Sequence, residues 1–162
     1  MQKWVKSLTH YLTRLKLIIS KLPSELFDQT LVDGMFSLEV NAKIAANFAM
    51  RGYCPLLGVE TISFEQEEDG SESLIRQIDA TLDYLKNAPD IDVLDDSKLI
   101  EDRAGFADIE LGEYDYIHIY ILPNLLFHLS MVYAIARSHG VDLSKADFDG
   151  LHEYPKGFSF LG

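Results

Sequence analysis

The sequence predicts an all-α fold, a four-helix bundle with a short β-hairpin before the fourth and longest helix. Three observations support this prediction. Apolar residues recur at helical spacing in three segments of the chain. A fourth segment, residues 117–136, is apolar on almost every side, which is typical of a helix buried among amphipathic partners. Between the third and fourth segments, two short runs of alternating residues flank a glycine-containing turn.

The 162 residues are enough for one filled core and too few for two comfortable domains. We therefore expect a helical domain over residues 1–150 and a C-terminal tail, residues 151–162, that wraps the bundle or reaches a partner. The start of the chain lacks the apolar core and cleavage site of a signal peptide, and the single cysteine, Cys54, cannot form an internal disulfide. Both observations predict a cytoplasmic location.

The formal net charge of −12 argues against a nucleic-acid partner, because phosphate binding requires clustered Lys and Arg. The charge is distributed unevenly, since residues 1–24 contain five basic residues and no acidic ones. This pattern favours a solvated helix face that pairs with acidic neighbours. A face that docks on a membrane surface or a partner is the alternative.

The first two helices are predicted from their apolar spacing and from their end signals. The first covers residues 4–22 and ends at Pro23. The second begins near Asp33-Gly34, which offers a cap, and stops at Gly52 and Pro55. The residues that follow lack helical periodicity and contain an acidic run, residues 65–69, which is typical of a solvated loop.

The third helix and the hairpin are predicted in the middle of the chain. Ser71 or Ser73 can cap a helix that ends near Ala88-Pro89. Residues 98–101 and 107–111 then alternate between apolar and polar side chains around residues 102–105, which predicts a short hairpin with its turn at those four residues.

The fourth helix is predicted to begin at Glu113 and Asp115, whose charges suit a helix N-terminus, and to end before Gly140. Its length would also permit a membrane span. We predict none, because the three amphipathic helices need a central apolar partner. Pro123 lacks the N–H that would bond to the preceding turn, so a kink or an unpaired carbonyl is expected there.

Asn124 and His128 are the most informative residues of the chain. They lie four residues apart within the longest apolar stretch, so on a helix they share one face directed into the core. A buried polar side chain left without a partner costs about 1–3 kcal/mol. Two interpretations stay open, a satisfied core network and a ligand site, because the sequence contains no established catalytic motif.

Several segments resemble the DinB/YfiT-like superfamily, whose members are associated with metal-dependent enzymes. The segments that carry the resemblance are residues 33–38 (DGMFSL), 122–128 (LPNLLFH), 133–141 (YAIARSHGV) and 145–148 (KADF). They are most similar to a branch known only as a domain of unknown function. The resemblance covers about residues 1–150 and implies the DinB-like four-helix bundle.

The resemblance also implies a site. In metal-binding members, one histidine of the second helix and an HxxxH pair of the fourth helix hold a divalent ion. The corresponding positions here are Asn41, Asn124 and His128, so one histidine is present. Because amide oxygen is a poor ligand for zinc or nickel, we expect a degenerate site without a tightly bound metal and predict no cofactor. The pocket candidates are Asn41, Asn124, Phe127, His128 and Tyr133, with Tyr11, Phe36, Phe48 and Tyr120 as further aromatic lining.

The favoured function is small-molecule binding or regulation by a homodimer that buries part of the apolar excess of the first or fourth helix. One alternative is a metal-dependent transferase or hydrolase, in which His128, Asn41 and Asn124 hold a weakly bound divalent metal and Asp33 or Glu39 supplies an acid. Another is a metal-free enzyme with His128 as general base. The last is a purely structural protein in which the polar residues satisfy one another.

Overall fold

The computed structural model describes residues 3–91 and 93–159. The fold is mostly helical with one small antiparallel sheet. The elements in chain order are α1 (Lys3–Ile19), a 3-10 turn (Ser24–Leu26), α2 (Leu38–Leu56), α3 (Ser71–Asn87), β1 (Leu99–Ala104), β2 (Ala107–Gly112), α4 (Glu113–Ser138) and the short α5 (Lys145–Asp149). Of the predicted tail, residues 151–159 form neither helix nor strand, and residues 160–162 lie outside the described part.

Three of the five basic residues of the N-terminal stretch have partners within the chain. On α1, Lys16 lies 2.6 Å from the carboxylate of Asp79 on α3, and Lys21, just after α1, lies 2.6 Å from Asp147 on α5. The guanidinium of Arg14 donates to two backbone carbonyls at the end of α5, each at 2.8 Å. Cations are favoured at a helix C-terminus, so these contacts hold α5 against α1. They match the interpretation of this stretch as a face that pairs with acidic neighbours.

Helix α2 begins later than predicted. The cap is Ser37, whose Oγ accepts a hydrogen bond from the N–H of Val40 at 3.3 Å, and not the Asp33-Gly34 pair. Met35 and Phe36 consequently lie before the helix, with exposed side chains. The apolar spacing continued across the true boundary, and only the capping chemistry marks where the helix starts.

Gly52 and Pro55 lie inside α2, although they were expected to stop it. Pro55 has no N–H for the carbonyl of Arg51, four residues earlier, and the hydroxyl of Tyr116 on α4 donates to that carbonyl at 3.0 Å. Gly52 permits close contact between α2 and α4, because a Cβ there would lie 2.6 Å from Cγ2 of Ile121. Both residues therefore serve the packing of α4 on α2.

The hairpin forms where it was predicted, directly before α4. Leu99 pairs with Gly112 and Ala104 with Ala107, so residues 102–104 belong to β1 and the turn is shorter than expected. Gly105 occupies the first turn position with φ +62°, a conformation that favours glycine.

Helix α4 contains an irregular segment immediately before Pro123. Residues Tyr116–Ile121 are π-helical, and the N–H of Leu122 bonds to the carbonyl of Ile117, five residues earlier. The expected disturbance at the proline thus takes the form of a wider turn. The buried face of α4 packs against α2 and α1, as in the core helix of a soluble protein, although α4 is long and apolar enough to cross a membrane.

Candidate functional site

One hydrogen bond joins two of the predicted site residues across the core. Oδ1 of Asn41 on α2 lies 2.8 Å from Nδ1 of His128 on α4. The amide nitrogen of Asn41 donates to the carbonyls of Phe36 at 3.1 Å and Ser37 at 2.9 Å. These two bonds orient the amide, so its oxygen faces the imidazole and Nδ1 of His128 carries the hydrogen.

This arrangement leaves His128 neutral and with one unused acceptor. Its side chain is 8% exposed, and burial lowers the pKa of its imidazole below the ordinary 6.5. With the hydrogen on Nδ1, Nε2 carries a lone pair. Nε2 has no hydrogen-bonding partner within residues 3–91 and 93–159.

Aromatic rings enclose the imidazole of His128. The ring of Phe48 stacks on it, with centroids 5.9 Å apart and planes inclined by 21°. Phe127 meets it edge-on at 5.1 Å, and Tyr120 meets Phe48 edge-on at 5.8 Å. The polar pair therefore lies among apolar walls, which strengthens its hydrogen bond and makes an unsatisfied acceptor costly.

Asn124 does not join the pair. Its amide nitrogen donates to the carbonyl of Tyr120 in its own helix at 2.7 Å, and its side chain is half-buried. Tyr120 belongs to the π-helical segment that precedes Pro123, so this contact lies where the helix is irregular. Asn124 and His128 were predicted to share one face. Asn124 instead contacts its own helix, and only His128 bonds to Asn41.

Two of the expected aromatic residues lie elsewhere. Tyr133 packs edge-on against Phe148 of α5, and its hydroxyl donates to the carbonyl of Leu143 at 3.4 Å. Tyr11 also contacts Phe148. Tyr133 follows His128 by five residues, which rotates it by about 140° around an α-helix, so it faces α5 and not the Asn41–His128 pair.

The two acids considered for the site have other surroundings in the structure. Glu39 is buried, but its Oε1 accepts a hydrogen bond from the N–H of Gly70 at 2.8 Å and lies 3.7 Å from Nζ of Lys43. Asp33 is exposed in the loop before α2. Over the ranges 3–91 and 93–159, no three His, Cys, Asp or Glu side chains are grouped as metal ligands would be.

A second polar network next to the pair was not anticipated. Arg51 forms a two-pronged ion pair with Asp102 of β1, at 2.7 Å for both nitrogens, and its guanidinium lies 5.4 Å from the ring centroids of Phe48 and Tyr120. The single O–H hydrogen of Tyr116 is shared between the same carboxylate, at 2.8 Å, and the carbonyl of Arg51, at 3.0 Å. Arg51 and Tyr116, polar side chains within apolar helical segments, were the available sequence signal for this network. Their partner Asp102 was missed because it was predicted to lie in the hairpin turn.

The electrostatics of this network follow from its contacts. The hydrogen bond to Asp102 raises the pKa of Arg51. Burial alone would raise the pKa of Asp102, but the donors around it, chiefly Arg51, lower it overall. Burial and the bond to Asp102 raise the pKa of Tyr116. All three groups therefore keep their ordinary charges, and the positive charge of Arg51 is matched within the protein.

A cavity of about 280 Å³ opens between α2 and the following loop, on the Arg51 side of Phe48. It is lined by Ile44, Asn47, Phe48, Arg51, Thr61, Ile62 and Ser63. Phe48 thus borders this cavity and also stacks on His128, so it links the cavity to the Asn41–His128 pair.

Comparison with known proteins identifies both a family and a fold. The family described as "Domain of unknown function (DUF1993)" matches residues 1–149. A crystal structure of a DinB family member protein from Shewanella denitrificans is similar over 93% of this chain and 92% of that chain, with 24% sequence identity and a TM-score of 0.70. No curated protein sequence matches this chain. The resemblance to DinB-like proteins is therefore confirmed at the level of the fold.

Proposed function

The chain belongs to the DUF1993 family of unknown function, and on that premise we propose that it is a metal-independent small-molecule-binding protein built on a DinB-like four-helix bundle. The ligand binds beside the Asn41–His128 pair and donates a hydrogen bond to Nε2 of His128. A cytoplasmic location is part of the proposal and is supported by the single, buried cysteine, which has no disulfide partner.

The open acceptor of His128 is the observation that supports ligand binding. Nδ1 is committed to Asn41, and Nε2 has no partner in the described ranges of the chain. An unsatisfied buried acceptor costs about 1–3 kcal/mol, which a water molecule or a ligand with an O–H or N–H group would offset. The small remaining exposure of the side chain, 8%, is consistent with access from outside.

The surroundings of His128 favour a neutral, partly planar ligand. Phe48 and Phe127 present a ring face and a ring edge to the same imidazole, and planar groups pack well against such walls. Arg51 is already paired with Asp102, so it offers little net charge to an anion. A phenol, an alcohol or a carboxamide with an aromatic or apolar body satisfies these conditions.

The donor set supports the proposed absence of a tightly bound metal. Asn41 uses its oxygen to accept from His128, and Asn124 is bonded to its own helix. Metal-binding members of the DinB-like superfamily hold the ion with three histidines, and here only Nε2 of His128 is left as an imidazole ligand. Amide oxygen is a weak ligand for zinc and nickel, so these residues do not fit a resident ion of that kind.

A second candidate is general-base catalysis without a metal. A neutral imidazole whose Nδ1–H is held by a fixed acceptor and whose Nε2 is open is the form in which histidine abstracts a proton. In this case the ligand would be a substrate bound at the same place. Turnover of a bound compound, lost in His128→Gln, would favour this candidate over simple binding.

The experiment is nuclear magnetic resonance of the histidine side chains in ¹⁵N-labelled, untagged protein. We expect the Nδ1–H tautomer for His128 at pH 7 and a saturable shift of its Nε2 signal on titration with phenol or benzamide. His118→Phe, a change at a histidine stacked on Tyr114, should preserve the response, and His128→Phe should abolish it.

Three results would overturn the proposal. The Nε2–H tautomer, or an ordinary pKa near 6.5 for His128, would mean that Nε2 is not an open, buried acceptor. Stoichiometric binding of zinc, nickel or manganese in calorimetry of the untagged protein would place the metal-dependent enzyme first. His128 could also show no response to phenol or benzamide, with a replacement that alters only stability. This result would mean that water satisfies Nε2 and would favour the purely structural protein.

A further inference from the structure

One face of α4 is exposed along its whole length and is apolar in the middle. Ile119 and Phe127 on this face are 64% and 55% exposed. Between residues 116 and 136 the sequence has no Asp, Glu, Lys or Arg. We define the α4 stripe as Asp115, Ile119, Pro123, Phe127, Ser130, Ala134 and Arg137, all exposed except the half-buried Ala134.

The stripe is unusual for a helix that otherwise belongs to the core. Leu125, Leu129 and Val132 on the other side of α4 are almost completely buried. Yet 44% of an apolar 18-residue window of α4 is buried, and the rest of that window is half-buried or exposed. A contiguous exposed apolar surface of this kind marks a contact surface.

The order of residues along the stripe makes it complementary to itself. Consecutive members are spaced three or four residues apart, and the spacing is similar when read from either end. In an antiparallel pair of α4 helices, Asp115 of one copy meets Arg137 of the other. The large Ile119 then faces the small Ala134, Pro123 faces Ser130, and Phe127 lies at the centre.

We propose that the α4 stripe is the interface of a homodimer, in which the α4 helices of two copies lie antiparallel across a two-fold axis near Phe127. A two-fold interface uses the same surface on both copies, which requires self-complementarity of this kind. A chain with net charge −12 also repels its own copy except at an uncharged surface. The opposite charges at the two ends of the stripe fix the antiparallel orientation.

The negative charge makes a membrane a poorer occupant of this surface. Anionic lipid attracts Lys and Arg and repels acidic groups, and the stripe begins with the exposed Asp115 beside the exposed Tyr114. A second copy satisfies both ends. Because Phe127 also packs edge-on against His128, dimerisation would cover one side of the Asn41–His128 pair.

Sedimentation equilibrium of the full chain at micromolar concentration tests the interface. We expect twice the chain mass of 18.4 kDa for the natural sequence and for Phe106→Asp, which places a charge at a 98% exposed position in the hairpin turn. Ile119→Asp and Phe127→Asp should yield monomers with unchanged circular dichroism, because both positions are exposed. Unlike Phe127, Ile119 is not one of the residues whose rings contact His128. Loss of the dimer in Ile119→Asp therefore tests the interface without altering the proposed ligand site.

Charge reversal tests the orientation. Asp115→Arg and Arg137→Asp should each weaken the dimer about tenfold or more, and the double variant should restore its affinity. A monomeric natural protein, a dimer that survives Ile119→Asp, or a double variant that is not restored would overturn the proposal. So would a monomer that floats with phosphatidylcholine–phosphatidylglycerol vesicles and loses this binding in Phe127→Asp, since a membrane would then occupy the stripe.

Discussion

Nδ1 of His128 lies 2.8 Å from Oδ1 of Asn41, and this single hydrogen bond connects α4 to α2 across 87 residues of sequence. It fixes the tautomer of a buried histidine and leaves the other ring nitrogen open. The bond is therefore both a packing contact and the feature on which the proposed binding chemistry depends.

The first prediction concerns pH. Burial lowers the pKa of His128 in the folded protein below the ordinary 6.5, so the unfolded chain binds a proton first on acidification. The contribution of neutral His128 to stability should be complete above about pH 6.5 and decline as the pH falls toward the folded pKa, by at most about 1.4 kcal/mol per pH unit. Urea unfolding between about pH 7.5 and 5 measures it, in a window above the titration of most carboxylates.

The matched control for this pH dependence is His118→Phe, which should retain the decline, while His128→Phe should flatten it. His118 stacks on Tyr114 and is only partly buried, so its replacement leaves the buried His128 and its bond to Asn41 in place. An equal slope in both variants would contradict the prediction.

The second prediction is that Asn41→Asp raises the pKa of His128 by more than about one unit, because a carboxylate replaces a neutral acceptor beside Nδ1–H. Loss of the amide donors to Phe36 and Ser37 should also destabilise the fold by about 1–3 kcal/mol. The histidine resonance followed against pH gives the shift. An unchanged pKa would mean that Asn41 is not the partner of Nδ1.

The third prediction is that Asp102→Asn destabilises the protein by about 1–3 kcal/mol, because it leaves the half-buried guanidinium of Arg51 without its counter-charge. Asp108→Asn on β2 is the control, since that carboxylate is 89% exposed and lies 3.7 Å from Arg103. Urea unfolding of both variants should separate them clearly. Similar stabilities would show that the ion pair does not anchor the hairpin.

The fourth prediction is that Tyr116→Phe costs about 1–3 kcal/mol, because the carboxylate of Asp102 and the carbonyl of Arg51, which lacks the N–H of residue 55, lose the hydroxyl hydrogen that they share. In a Pro55→Ala background, an N–H at position 55 is available to that carbonyl, so the same substitution should cost less. A double-mutant cycle measured by urea unfolding reports the difference. If the effects of the two mutations are additive, the Tyr116 hydroxyl does not take the place of the backbone N–H that Pro55 lacks.

The fifth prediction is that Gly52→Ala destabilises the fold by about 1–3 kcal/mol through overpacking, despite the higher helix propensity of alanine. The added Cβ would lie 2.6 Å from Cγ2 of Ile121, which sits on a stiff branched side chain. In an Ile121→Ala background the clash is removed and Gly52→Ala should become neutral or stabilising. A stabilising effect in the natural sequence would show that α4 can move away from α2 without cost.

Local and repeated signals in the sequence predicted most of the fold. Helical spacing located the long helices, alternation located the hairpin, and the apolar run of residues 117–136 located the central helix. Helix boundaries that depend on a single side chain were predicted wrongly. Ser37 starts α2 after the apolar pattern has begun, and Tyr116 supplies the hydrogen bond that lets α2 continue through Pro55. A single capping residue such as Ser37, or a distant donor such as Tyr116, produces no periodic pattern in the sequence.

Only part of the candidate site was predicted, because its other contacts also join residues that are distant in sequence. The resemblance assigned Asn41, Asn124 and His128 to one place, and the structure brings Asn41 and His128 into contact, while Asn124 bonds to its own helix. Tyr133 was added to the site as an aromatic lining residue, and its hydroxyl bonds to Leu143 instead. The network of Arg51, Asp102 and Tyr116 was missed because it joins three elements that are far apart in sequence.

The π-helical segment Tyr116–Ile121 has a consequence for the whole of α4. A residue in a five-residue hydrogen-bonding pattern turns the chain by about 80°, against about 100° in an α-helix, so six such residues lag by roughly one residue's rotation. The segment therefore sets the rotation of the second half of α4, which contacts Asn41, relative to the first half, which contacts the hairpin and Arg51. Six residues at about 80° turn the chain by nearly the same angle as five residues at about 100°. Deletion of one residue with conversion of the segment to a regular α-helix would therefore keep His128 facing Asn41, whereas conversion of all six residues would turn it away by about 120°.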